Sequence, residues 1–256
     1  FVKVDALSSL LRPDTTLVSV MAVNNEIGSI QPIHEIAALL EDRPTISFHV
    51  DAVQALAKVA TEVYLPERVD FATFSSHKFH GLRGVGFVYI KEGKKITPLL
   101  TGGGQEKEMR STTENVAGIA ATAKALRLAM ENQEAFASKT QQMKEVIRKE
   151  LANYPDVTVF SGEDHFAPHI LTFGIKGVRG EVVVHAFEEF DIYISTTSAC
   201  SSKAGKPAGT LIAMGVDKSI AQTAVRLSLD IENDMSQVEQ FLTKFKLIYE
   251  QTRKVR

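Results

Sequence analysis

Tryptophan is absent from this chain, and Cys200 is its only cysteine. One cysteine excludes an intramolecular disulfide framework and a cysteine-built structural zinc site, and it fits the reducing cytoplasm. Charge of neither sign dominates. The formal net charge of -2 gives no reason to expect nucleic acid or an anionic membrane as partner. No apolar run approaches the roughly 18 residues that span a bilayer. Internal repeats and low-complexity tracts are also missing. The sequence opens on "FVKVDALSSLLRPDTTLV", with neither a methionine nor the layout of a signal peptide, and so reads as a piece of something longer. What remains is ordinary globular composition, 44% hydrophobic and 23% charged over 256 residues, enough for one large domain or two modest ones.

Residues 16–23, "TLVSVMAV", form a continuous β-branched apolar run that predicts a buried strand. Pro32 opens a helical pattern, "PIHEIAALLED", at a tolerated first-turn position. "TISFHV" predicts a second strand ending at Asp51, where "DAVQALAKV" predicts a helix start; "DFATFS" and "GVGFVYIK" predict two further strands. Apolar strands alternating with helices predict an α/β fold whose mostly parallel sheet is covered on both faces. Helical patterns over residues 115–130 and 134–154 meet at the polar "MENQEAFASK". The expected division is therefore residues 1–130, holding the sheet, and 131–256, a smaller α+β domain. In the latter, "DVTVFSG", "PHILTFGIKG", "DIYIS" and "TAVRLSL" predict strands. "GEVVVHAFEEF" and the stretch from Met235 predict helices, and a Ser/Gly/Lys-rich loop covers residues 196–209.

Polar residues gather where the first three strands end: Asn24, Asn25 and Glu26, then Asp51 and Gln54, then Ser75, Ser76, His77 and Lys78. Ligands of open α/β sheets bind beyond the carboxyl ends of strands, although Asn, Asp and Ser are also common turn formers. An acid, an amide and an amine at one sheet edge favour the functional reading. A partly buried Asp51 needs a cation or strong donors to stay ionised, and a desolvated Lys78 can form an imine. An aspartate on a pyridinium nitrogen and a lysine Schiff base together are how proteins hold pyridoxal phosphate. Ser75, His77 and backbone N–H groups are candidates for its phosphate. "TGGGQEKEMRSTTEN", residues 101–115, places Ser111, Thr112 and Thr113 near a helix start, as caps or as an anion site. Cys200 has small polar neighbours in "STTSACSSKAGKPAG", which favours an exposed reactive thiol over a buried filler. Arg226, inside the strand-like "AVRLSL", calls for a carboxylate partner, either internal or a substrate.

"NNEIG", "HVDAVQ", "SSHK", "GGGQE", "RSTTEN", "SAC" and "VRLSL" occur in that order, and the set resembles the NifS/IscS-type cysteine desulfurases of the class V aminotransferase family. The resemblance implies the type I pyridoxal-phosphate fold, the cofactor on Lys78 as a Schiff base, and Asp51 on the pyridinium nitrogen. It implies Gln54 and Asn25 near the phenolic oxygen, with Ser75 and His77 at the phosphate. Arg226, aided by Asn25, would hold the substrate carboxylate, and Cys200 would attack the sulfur of L-cysteine to leave a persulfide and L-alanine. Thr113 would reach the phosphate of a neighbouring subunit, so a cytoplasmic homodimer is expected, passing sulfur to an acceptor protein for iron–sulfur clusters or tRNA thiolation. A selenocysteine lyase, a transaminase and a cofactor-free interaction fragment are the alternatives, and plain transamination leaves Cys200 without a purpose.

Two positions depart from the family pattern: Ser76 and Thr112 stand where glycine is usual. The family's N-terminal stretch is not matched, including a histidine that stacks on the cofactor and a phosphate-binding turn of small residues. A truncated form, with weak cofactor binding and poor turnover, is the expectation.

Overall fold

The computed structural model describes residues 1–197 and 209–254. They fall into two compact units, Phe1–Ala22 with Gln31–Gln133, and Val23–Ile30 with Glu134–Arg256. In the first, α1 (Val4–Leu10), β1 (Leu17–Met21), α2 (Ile33–Leu39), β2 (Ser47–Asp51), α3 (Thr61–Tyr64) and β3 (Phe71–Ser75) run in sequence. A 3-10 turn over Ser76–Phe79, β4 (Gly86–Ile90) and α4 (Val116–Glu131) complete it. The strands lie in the order β1-β2-β3-β4. β1, β2 and β3 are parallel, and β4 returns antiparallel to β3, giving the mostly parallel α/β sheet expected.

Burial along these strands alternates. Val18, Phe48, Val50, Ala72 and Phe74 point into a packed side with Ile36 and Leu40, an apolar set that supplies most of the driving force for this unit. Ser19, His49 and Thr73 occupy the other face, exposed or half-buried. The sheet is thus not covered on both faces among the described residues. A polar row tolerates this exposure because its members bond one another: the Ser19 hydroxyl lies 2.8 Å from His49 Nδ1, and the Thr73 hydroxyl 3.0 Å from His49 Nε2. A second correction concerns residues 51–59. After Asp51, which ends β2, residues 53–58 form successive turns, not a helix, because Ala57 sits at a left-handed φ of 59°, where a helix cannot continue. Nor do the serine and threonines cap α4: the Asn115 side chain does, accepting the Gly118 N–H at 3.0 Å.

The second unit holds α5 (Gln133–Leu151), β5 (Val157–Val159), β6 (Ile170–Ile175), α6 (Gly180–Glu188) and β7 (Ser195–Thr196). After the segment that is not described come α7 (Gly209–Ala213), α8 (Lys218–Ala221), β8 (Ala224–Ser228) and α9 (Met235–Lys254). Its sheet, β5-β6-β8-β7, is antiparallel throughout. The predicted strand "DIYIS" shrinks to β7, since Asp191 takes a left-handed φ of 57° and only Ser195 and Thr196 pair with β8. Met143, Ile147 and Leu151 from α5 and Val238, Phe241, Phe245 and Ile248 from α9 recur at helical spacing. They close over the fully buried β6, whose Phe173 meets Phe245 edge-on at 5.7 Å.

Candidate active site

In the first unit, the carboxyl ends of neighbouring parallel strands carry the two charged residues that sequence reasoning singled out. Asp51 is the last residue of β2, paired in register with Met21 of β1 and Thr73 of β3. Its carboxylate is half-buried and accepts the Val53 N–H at 3.0 Å. Gln54 follows, half-buried, on the turn after the strand.

Lys78 lies in the 3-10 turn that leaves β3. This turn is fastened at both ends. Ser76 is fully buried and its hydroxyl lies 2.9 Å from that of Thr122 on α4. Phe79 is buried and meets Phe87 of β4 edge-on at 6.4 Å. Between these anchors His77 is exposed and Lys78 half-buried, as is Ser75 on the strand end. The turn closes with His80 in a left-handed conformation and a bond from the Gly81 N–H to the Ser76 carbonyl at 2.9 Å. Gly81 has no room for a side chain, because an added Cβ would fall 1.8 Å from Ser76 Oγ. That close approach is why glycine follows the Ser-Ser-His-Lys stretch.

Neither the Asp51 carboxylate nor the Lys78 ammonium forms an ion pair among the described residues. Partial desolvation, and then the positive charges of Lys78, Arg83 and Lys58, hold the His77 imidazole below the ordinary histidine range. Cationic groups therefore cluster beyond β3, as a phosphate requires. Burial also lowers His49, on the same strand face as Asp51, and the Asp51 charge offsets part of that effect. A carboxylate on one strand end, with an uncompensated amine and a positive cluster on the next, is a donor set that fits pyridoxal phosphate.

The other residues read from the sequence, Cys200 apart, lie in other described segments of the chain. Thr113 is exposed in the stretch before α4. Asn25 and Arg226 belong to the second unit, where the Asn24–Ser29 turn is built tightly. Asn24 Oδ1 accepts the N–H groups of Glu26 at 2.8 Å and Ile27 at 2.9 Å. Gly28 takes a φ of 82° that side chains rarely adopt. Arg226, half-buried on β8, donates from Nη1 to the Asn25 carbonyl at 2.8 Å. That acceptor is a backbone oxygen. The same turn receives the start of α7, where the Thr210 N–H donates to Glu26 Oε2 at 3.1 Å and Asn24 Nδ2 to the Thr210 hydroxyl at 3.3 Å. Cys200 lies outside the described residues.

Sequence reasoning missed Lys58, a buried lysine that donates to the Lys78 carbonyl. The one charge in the apolar "ALAKVA" was the available signal. It also missed His49, which the two-residue period of a strand places beside Asp51. Among the described residues no helix is long and apolar enough to cross a membrane, and no cluster of three or more His, Cys, Asp or Glu could hold a metal ion.

Comparison with known proteins gives a consistent picture. A NifS/IcsS protein homolog of Lactobacillus delbrueckii is 51% identical over 250 residues, covering 97% of this chain and 65% of that protein. A cysteine desulfurase IscS of Clostridium botulinum is 38% identical over 258 residues, covering 100% of this chain and 64% of its own. Among solved structures, a NifS-like protein matches at a TM-score of 0.88 and 36% identity, over 97% of this chain and 65% of that one. A NifS-like protein from Rickettsia africae matches at 0.85 and 29%, over 97% and 67%. The chain spans about 65% of the length of the curated relatives it matches. Its α/β architecture is the type I pyridoxal-phosphate fold of those NifS-like structures. The aminotransferase class-V description matches residues 1–241, and the chain belongs to that family, whose members depend on pyridoxal phosphate.

Proposed function

We propose that the protein is a pyridoxal-phosphate-dependent cysteine desulfurase that converts L-cysteine to L-alanine and loads the sulfur onto Cys200. The observation that carries this reading is the placement of Asp51 and Lys78 on the carboxyl ends of adjacent parallel strands, each without a counter-charge among the described residues. The similarity of the chain to the IscS and NifS relatives supports it.

When bound, pyridoxal phosphate supplies an electron sink that weakens bonds at the carbon bearing the substrate amine. Asp51 would keep the ring nitrogen protonated, since an ionised carboxylate beside it favours the charged form. Lys78 would hold the cofactor through its Nζ and, when released, move the proton at the substrate α-carbon. Gln54 and Asn25 would donate near the phenolic oxygen. Ser75, His77 and the positive charge around them would take the phosphate. Arg226, which donates to the Asn25 carbonyl, would hold the substrate carboxylate. The Cys200 thiolate would attack the substrate sulfur: the S–S bond forms as the carbon–sulfur bond breaks, and a proton returned to that carbon leaves alanine. The persulfide then passes to an acceptor protein. Thr113 would serve the phosphate of a second copy, making the working form a cytoplasmic homodimer.

The test is turnover of L-cysteine by the whole protein with Lys78→Ala and Cys200→Ser variants. Lys78→Ala should lose the visible band of lysine-bound pyridoxal and all alanine formation. Cys200→Ser should keep the band and stop sulfide release; persistent sulfide would refute the assignment of the thiol.

A further inference from the structure

Lysine is seldom buried, because an ammonium taken out of water needs acceptors or a counter-charge around it. Lys58 is 9% exposed, between Leu56 at 7% and Val59 at 8%. The left-handed Ala57, φ 59°, ends the turn that starts at Ala52 and directs the chain into Lys58. A non-glycine residue in that region costs roughly 1 kcal/mol or more unless its surroundings hold it there. The Lys58 ammonium donates to the main-chain carbonyl of Lys78, twenty residues along the chain. Its charge also reaches His77.

We propose that Lys58 is a positioning residue for Lys78. Its buried ammonium clamps the Lys78 carbonyl and fixes the 3-10 turn so that the Lys78 side chain is presented at the strand end. The clamp also places the Lys58 charge where it acts on His77. This inference rests on the reading that Lys78 carries the cofactor. A third anchor makes physical sense. Ser76 and Phe79 fix the turn from the α4 and β4 sides, and Lys58 fixes it from the segment that follows β2. The bland alternative is a lysine that caps a carbonyl and supports folding alone.

Lys58→Met, which keeps the length and removes the donors and charge, separates the two, with Lys58→Arg as the conservative partner. In the whole protein, Lys58→Met should slow capture of added pyridoxal phosphate at Lys78 by about tenfold, the worth of one hydrogen bond to a charged group. Lys58→Arg should recover most of that loss. In cofactor-free protein, the NMR titration of His77 should move to higher pH in Lys58→Met and stay near wild type in Lys58→Arg. If Lys58→Met fails to fold, the His77 titration and capture rate of Lys58→Gln, which keeps a donor without the charge, give the same decision. Unchanged capture and an unchanged His77 titration would overturn the clamp. Loss of stability that Arg does not rescue, with both readouts unmoved in the folded fraction, would also overturn it. Should wild type capture no cofactor at Lys78, the functional reading falls by itself, and the His77 titration still decides whether Lys58 acts on this turn.

Discussion

Lys144 gives a quantitative test of the second unit. It is 2% exposed on α5, with its Nζ donating to the Ala167 carbonyl at 2.8 Å and lying 5.7 Å from the Phe166 ring centre. Burial first, and then the Arg148 guanidinium one turn along α5, lower its pKa from 10.5 to about 8. Across that gap the unfolded chain binds the proton and the folded chain has released it. Folding stability from this residue therefore rises with pH between about 8 and 10.5, and below about 8 the cost of the buried charge is fully present. The fall in pKa converts to about 3 kcal/mol. Lys144→Met removes the titrating group and leaves the Ala167 carbonyl unsatisfied, a loss of about 1–3 kcal/mol at every pH. The difference between wild type and variant isolates the pH-dependent part, since groups common to both cancel. Urea denaturation at steps from pH 7 to 10.5 should show wild type gaining on Lys144→Met by about 3 kcal/mol across the upper window. A difference that stays flat with pH would show that Lys144 is hydrated, and would refute the burial reasoning.

Two further perturbations probe the same logic elsewhere. Gly28→Ala places a Cβ 2.9 Å from Ile170 Cβ at a φ of 82°, so it should destabilise the protein by about 1–3 kcal/mol. The change reads as a lower melting temperature and faster amide exchange at Asn24 and Ile30. Asp70 accepts the Phe48 N–H at 2.8 Å, Arg68 at 2.8 Å and Lys94 at 3.1 Å. Burial pushes its carboxyl up, but these donors together hold it below the ordinary range. Its contribution is present above the unfolded pKa and lost as pH falls through the lower folded value. Asp70→Asn should therefore cost about 3–5 kcal/mol at neutral pH, with the gap from wild type narrowing in acid; a gap independent of pH would contradict the assignment.

Much of this architecture was written in local pattern. Proline and helical spacing marked α2, the 3.6 period marked α4, α5 and α9, a β-branched run marked β1, and apolar stretches marked β2 and β3. Because strand ends set the ligand edge of such a sheet, Asp51 and Lys78 stood out before any coordinates. Long-range placement was not legible. Val23–Ile30 lies between two elements of the first unit in sequence, yet groups with the second. Bonds from Asn24 to Thr210 and from Ile30 to His165 hold it there, and no local period encodes such partners. Lys58 was hidden for the same reason, as its partner is a carbonyl twenty residues away. The Ala57 break was missed because alanine carries no turn signal. His49 was readable from strand alternation but not its bonds to Ser19 and Thr73, which need the strand order.

Borohydride reduction of the whole protein with pyridoxal phosphate, followed by peptide mass mapping, tests the central claim most directly. Reduction fixes the cofactor to whichever amine holds it. The expected result is one pyridoxyl adduct, on Lys78, absent from Lys78→Ala and much reduced in Asp51→Ala. An adduct on Lys58 or another lysine, with Lys78 unmodified, would contradict the account.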